Sequence, residues 1–354
     1  MRRVVFAAAG AAAITALAAA CGSSAASSGS GSSSSGSSSS QHVTLRLGFL
    51  ANITHAPALV GLNKGFFTKN LGSGVTLKTS VFSSGTEETT ALLAGQLDAA
   101  YVGPNPAINA WQKSSGKAIK IISGAASGGA ALVVKPSITS ASQLKGQKVA
   151  TPSLGNTQDV ALRYWLKQHG LTTTQTGGGD VPVTPIKPNS AAVLQFKSGQ
   201  IAGGWEPAPY DAEMVADGGK VLVNEASLWP AGKFVTTNLV VTQSFLKAHA
   251  SVVSNLLKGH VESVKYINAN PSAAATAANA ELTTLLGKGL KSSALTASFK
   301  QITFTNDPIA SSLATDAKHA VAVGLLQPVN LNGIYDLSPL NAVLKADGEP
   351  QVSP

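Results

Sequence analysis

The chain has 354 residues, 26 Lys plus Arg against 17 Asp plus Glu for a formal charge of +9, 44% hydrophobic residues and a single cysteine. One cysteine excludes an internal disulfide and a thiolate metal site. The lysines are dispersed, without the basic cluster interleaved with aromatics that nucleic-acid binding requires.

The N-terminus begins with Met1-Arg2-Arg3, then an apolar, Ala-rich run from Val4 to Ala20 that ends at Cys21. A basic start, an apolar stretch and small residues before a cut describe a secretory signal. About 17 Ala-rich residues would make only a marginal membrane span. The small residues before Cys21 resemble the bacterial lipobox, although Leu17 stands one place further from the cysteine than that pattern has it. Residues 1–21 are therefore expected to be a lipoprotein signal peptide, with Cys21 lipidated. Residues 22–42 are almost entirely Ser, Gly and Ala up to Ser40. Such a segment cannot bury enough surface to offset its ordering entropy, so it reads as a flexible tether. Removing Arg2 and Arg3 lowers the charge from +9 to +7 and leaves Arg46 and Arg163 as the arginines.

About 310 residues follow, long for one core and comfortable for two lobes. Strands are expected over 43–49 and 75–82, with a helix over 56–70 between them that carries Pro57 in its first turn. Ser84-Gly85-Thr86-Glu87 matches a capping box and starts a helix running to Gly95. A strand over 98–102, a helix over 104–113 and a strand over 117–124 complete a β-α-β-α-β alternation, which implies a mainly parallel sheet with helices on both faces. The pattern restarts with strands at 130–135 and 147–151, a helix at 156–169, a strand at 183–186, a helix at 190–198 and strands at 201–205 and 220–223. A β-branched segment covers 234–242, and helices follow over 244–269, 271–286, 308–325 and 338–345. Two α/β units with a helical C-terminal region predict a discontinuous first lobe, 43–134 with 238–354, and a second lobe over 135–237. The chain is expected to cross out near Leu132–Pro136 and return near Thr236–Thr242.

Several stretches carry a family likeness. They are Asn52 to Gly61 followed by Lys64-Gly65-Phe66-Phe67, Ser84-Gly85-Thr86 leading to Ala91 to Ala99, Gly103 to Ala107, Leu144 to Ala150, and Gly203-Gly204-Trp205-Glu206-Pro207. In this order the chain resembles the substrate-binding proteins of ABC importers, specifically the sulfonate/taurine/nitrate-type group. The resemblance implies a two-lobed type II periplasmic-binding-protein fold, with two hinge crossovers and a ligand in the cleft between lobes. It also implies a monomer that closes on a small anionic solute and delivers it to ABC permease and ATPase subunits; with a lipid on Cys21 and the tether behind it, the protein is expected at the outer face of the bacterial cytoplasmic membrane.

In open α/β sheets, ligands sit beyond the carboxyl ends of strands. The loops there nominate Asn52, Thr54 and His55; Ser84, Gly85 and Thr86; Asn105; Gly155, Asn156, Thr157 and Gln158; and Trp205 and Glu206. Several open a helix, whose unpaired N–H groups and positive dipole end suit an anion. Ser84 to Thr86 could equally only cap their helix. His55 could fix its own loop rather than touch ligand, Trp205 could be core or a stacking wall, and Glu206 could meet a ligand amine or only brace its turn. Trp229 either lines the far side of the cleft or packs locally. Neither arginine stands in a cleft loop, so no bidentate clamp is evident. Backbone N–H, Ser, Thr and Asn would then hold an anion, which favours a sulfonate over a phosphate ester.

Enzyme readings lack support. Ser142–Lys145 and Ser244–Lys247 match Ser-x-x-Lys, but no Lys-Thr-Gly or Ser-Asp-Asn accompanies them. The six histidines show no metal-ligand spacing. Pyrimidine-synthesis enzymes of thiamine pathways with a related fold use a cysteine-rich motif that this chain lacks. No enzyme activity, cofactor, metal or nucleic acid is expected. The expected ligand is an aliphatic sulfonate or taurine-like compound, with nitrate next. A thiamine-precursor pyrimidine or flavin stacked on Trp205, and a ligand sensor signalling to a membrane receptor, are the alternatives.

Overall fold

The computed structural model describes residues 42–354; the signal segment, Cys21 and all but the last residue of the tether lie outside them. The described residues build two sheets. The first has six strands, β1 (Val43–Leu50), β2 (Val75–Phe82), β3 (Ala99–Val102), β4 (Ile119–Gly128), β10 (Val235–Thr242) and β11 (Ile302–Phe304), in the order β11-β4-β10-β3-β1-β2. The second has five, β5 (Ala130–Val134), β6 (Val149–Thr151), β7 (Val183–Pro185), β8 (Gly203–Pro207) and β9 (Lys220–Asn224), in the order β7-β6-β8-β5-β9.

In both sheets the strands joined through helices pair in parallel: β1 with β2 and β3, β6 with β7 and β8. One strand runs antiparallel in the middle of each, β10 between β3 and β4, and β5 between β8 and β9. Every residue of β3, β5, β8 and β10 is buried, as expected of strands covered on both faces. At the edge, β2 is mostly exposed and carries Thr, Lys and Ser, which blunts further pairing.

The chain leaves the first sheet at Gly128–Gly129 and returns between Asn224 and Val235. Both points precede the expected crossings near Leu132–Pro136 and Thr236–Thr242, because β5 pairs within the second sheet and β10 starts at Val235. The first change of sheet depends on glycine. Gly128 and Gly129 both have positive φ (82° and 77°), and a Cβ on either would fall 2.6 Å from Gln301 O or 2.4 Å from Ile302 Cγ1.

Helix breaks also differ from expectation. The first long helix divides at Lys64–Gly65, where Gly65 is left-handed. The 244–269 span divides at His249. Short helices at Tyr210–Ala216 and Ser292–Lys300 appear where none is expected. Among the described residues, no helix is long and apolar enough to cross a membrane.

Candidate functional site

A cavity of about 30 Å³ lies where the loops of the two sheets meet. From the first unit come Leu50 at the end of β1 and Asn52, Thr54 and His55 after it; Ser83, Ser84 and Gly85 after β2; Gly103 and Pro106 after β3; and Thr236 of β10. From the second come Pro152, Asn156, Thr157 and Gln158 after β6, Asn189 after β7, and Pro207 at the end of β8.

Four α-helices begin at this cavity: Gly85–Leu93, Pro104–Lys113, Thr157–Gln168 and Asn189–Lys197. Local chemistry sets their starts. Ser84 Oγ accepts from Glu87 N at 3.3 Å, and Asn156 Oδ1 accepts from Asp159 N at 2.9 Å. The first intrahelical bonds are Glu88 N to Ser84 O and Val160 N to Asn156 O. The N–H groups of Gly85, Thr86, Thr157 and Gln158 precede those bonds, as the first N–H groups of a helix must. The capping box at Ser84 is half formed, because the Glu87 carboxylate turns instead to Ser83 Oγ (2.5 Å) and to Lys187 of the second unit.

Among the described residues, no charged side chain lines the cavity. His55, its one titratable lining group, is buried, and burial lowers its pKa to about 3, so the ring is neutral. Its Nδ1 accepts the Leu50 N–H at 3.2 Å, which leaves Nε2 as the protonated nitrogen and a donor. The cavity thus offers hydroxyls, amides, a neutral imidazole and converging helix dipoles, a setting that stabilises a small anion without a counter-ion. A larger groove of about 380 Å³ adjoins it, sharing Leu50, Asn52, Ser83 and Asn189 and adding Val81, Phe82, Tyr210 and Leu286.

The structure brings Asn52, Thr54, His55, Ser84, Gly85, Asn156, Thr157 and Gln158 together. It keeps five expected residues off the lining. Thr86 is exposed and its hydroxyl meets Ser153 Oγ across the cleft at 3.2 Å. Asn105 is buried against the Ala310–Ala322 helix, with Nδ2 3.4 Å from Asp316 O. The Gly155 N–H is taken by Asp159 Oδ2 at 2.9 Å. Trp205 is core: fully buried, edge-on to Trp165, with Nε1 donating to Glu225 Oε2 at 2.6 Å. Glu206 is also fully buried, and neither carboxylate oxygen has a hydrogen-bond partner. Burial, and then the nearby Asp211, hold its pKa well above the usual carboxylate range. Both residues sit inside β8, which runs two residues further than expected and presents Pro207 to the cavity.

Asn189, Pro152 and Thr236 were not foreseen. Asn189 had a readable signal, since it is the first residue of the helix that follows β7, just after Pro188. Both arginines among the described residues are structural. Arg46 ties β1 to the start of β3 through Asp98 (2.9 Å from Nε, 2.5 Å from Nη2). Arg163, 2% exposed, lies 3.0 Å from both Asp159 oxygens and donates to Thr174 O at 2.6 Å. Asp159 also accepts from Thr151 Oγ1 at 2.9 Å, so this pair anchors the loop that leads into the Thr157–Gln168 helix.

A family model described as the NMT1-like family matches residues 38–282. Brucella proteins provisionally named binding proteins, such as that of Brucella abortus (strain 2308), are 31% identical over 172 residues, 48% of this chain and 50% of theirs; the chain thus spans about half the length of these relatives. The taurine-binding periplasmic protein of Escherichia coli (strain K12) is 26% identical over 215 residues, 61% of this chain and 64% of that one. The alkanesulfonate-binding protein SsuA of Xanthomonas axonopodis pv. citri, solved with bound MOPS, superposes with a TM-score of 0.65 at 15% identity, covering 80% of this chain and 94% of that one. The fold is accordingly the two-unit α/β fold of the periplasmic binding proteins.

Proposed function

The chain belongs to the NMT1-like family, and we propose that it is the solute-binding component of an ABC importer that captures a small organic anion, an aliphatic sulfonate, between two lobes. The observation that carries this reading is the convergence of four helix N-termini on one small cavity without a charged side chain. A compact, singly charged oxyanion head suits that donor set. The adjoining groove, walled by Val81, Phe82, Leu282 and Leu286 with Glu213 and Lys288 also on its lining, gives an aliphatic tail a place, which favours a sulfonate over nitrate. A taurine-like ligand also fits this arrangement, because Glu213 lines the same groove in which its amine would lie. A flavin or pyrimidine loses its support with Trp205 in the core.

Residues 43–128 with 235–354, and 129–234, would act as lobes hinged at the two crossovers, closing on the ligand for a permease to recognise. The protein would work without catalysis, exported and held at the outer face of the membrane by a lipid on Cys21. An unmodified Cys21 in the mass spectrum of the native protein would remove the anchor from this picture.

A thermal-shift screen of sulfonates, nitrate, pyrimidines and flavin tests the ligand class. A ligand at a hundredfold excess over Kd adds about 2.7 kcal/mol to stability. For a protein of this size that is a melting increase of at least a few degrees. The increase is expected with an aliphatic sulfonate. A shift with flavin or pyrimidine and none with any sulfonate would overturn the assignment.

A further inference from the structure

A second pocket, of about 360 Å³, lies away from the cleft against the other end of the Thr157–Gln168 helix. It is lined by Tyr164, Trp165 and His169 of that helix and its cap, by Glu225 and Trp229 after β9, and by His319 of the Ala310–Ala322 helix. Its size falls within the roughly 300–1,000 Å³ usual for small-molecule sites.

The walls are aromatic. Tyr164 stacks on His319 at 3.7 Å and 15°, and Trp229 stacks on Phe234 at 5.4 Å and 10° while standing 5.6 Å from His319. Trp165 lies 4.2 Å from His169. Tyr164, Trp229 and His319 are half-buried, so their rings remain reachable.

Among these walls sits one carboxylate, Glu225, only 1% exposed. Its Oε2 accepts from Trp205, whereas Oε1 has no hydrogen-bond partner of good geometry. Burial raises its pKa to about 7, a rise opposed by the Trp205 and Trp229 indoles. A buried carboxylate with an unmet oxygen gains most from a positive neighbour. His319, its pKa lowered to about 4 by burial, supplies an uncharged ring rather than that charge. The nearby Lys167 ammonium is engaged by Ala322 O at 2.6 Å. The pocket also flanks the C-terminal half of its helix, the negative end of the dipole.

We propose that this pocket is a second binding site, for a small organic cation of the quaternary-ammonium type, with Tyr164, Trp165 and Trp229 as aromatic walls and Glu225 as counter-charge. The combination follows cation–π physics: an alkylated ammonium is attracted to ring faces and needs no directed hydrogen bond. Because His319 comes from the first unit and the other lining residues from the second, the cation would touch both.

Tetramethylammonium chloride titrated into the protein, followed by tryptophan fluorescence and calorimetry against sodium chloride, tests this. Saturable 1:1 binding is expected. Glu225→Gln and Trp229→Ala should each weaken it about tenfold or more. The uncharged 3,3-dimethyl-1-butanol should not bind. Because Glu225 is bonded into the core, Tyr164→Ala at a half-buried position provides a second variant, with an expected loss of several-fold and native circular dichroism. Absence of saturable tetramethylammonium binding, equal binding of the neutral alcohol, or unchanged binding in Trp229→Ala and Tyr164→Ala would each overturn the proposal.

Discussion

The two pockets lie at opposite ends of one helix, Thr157–Gln168, and differ in how they handle charge. The cleft cavity has no ionised lining group and relies on N–H groups at the positive ends of helices. The aromatic pocket has a buried carboxylate, ring faces and the negative end of the same helix. One element thus offers two electrostatic environments: its positive end faces uncharged donors, while its negative end lies beside a carboxylate, an arrangement that leaves a cation as the favoured neighbour there. A basic protein need not present a basic site: Arg46 and Arg163 pair with Asp98 and Asp159, and the groups left to line the cleft cavity are uncharged.

The largest expected effect is on the support of that helix. Arg163→Gln leaves Asp159 without its cation in a buried position. Breaking a buried pair from one side costs about 3–5 kcal/mol, so denaturant unfolding should register a loss of that order. A loss under 1 kcal/mol would mean that the pair does not anchor the loop. Arg163→Gln therefore cannot serve as a silent control for binding.

Next comes the cleft end. Thr157 is the first helical residue after the Asn156 cap, where proline is tolerated but has no N–H to give. Losing one charge-assisted bond costs roughly 1.5–3 kcal/mol, so Thr157→Pro should raise Kd for ethanesulfonate by about tenfold to over a hundredfold in calorimetry. Thr157→Val, which keeps the N–H, separates the backbone contribution from that of the hydroxyl. Gly103→Ala probes closure. A Cβ there would stand 2.7 Å from Thr157 Oγ1 across the cleft, and overpacking of about 1–3 kcal/mol should weaken binding about five- to 150-fold. Unchanged affinity would place Gly103 and Thr157 further apart in the bound state.

The aromatic end can be read by pH. Glu225 has a pKa raised from 4.5 to about 7. Its folded-state value exceeds the unfolded one, so its stabilising contribution is full below about 4.5 and is lost as pH rises through about 7. Relative to Glu225→Gln, the wild type should lose about 1–3 kcal/mol of stability between pH 5 and pH 8. A flat difference would mean that Glu225 titrates as an ordinary carboxylate. The smallest effect belongs to His55. With its pKa held near 3, it stays neutral from pH 5.5 to 8, and Kd for a sulfonate should change less than about twofold in that range. Marked tightening on acidification would mean that His55 takes up a proton with the ligand.

Much of this was legible in the chain. Strand–helix alternation and helix caps located most cleft loops, because a Ser or Asn ahead of an amphipathic run marks both a helix start and a cluster of free N–H groups. Trp205 and Glu206 were misplaced because β8 extends through Pro207, and a strand's end depends on partners that local sequence does not encode. Gly155 was misassigned because its N–H answers to Asp159, four residues on. The aromatic pocket draws on Tyr164, Trp229 and His319, far apart in sequence and joined only by the packing of three segments.

A crystal structure of the protein grown with ethanesulfonate would show which groups hold the anion. The sulfonate oxygens should lie within about 3.2 Å of the N–H groups of Gly85 and Thr157, with no Lys or Arg side chain in contact. A sulfonate held by a guanidinium or ammonium, or bound away from the Ser84 and Asn156 helix starts, would contradict it.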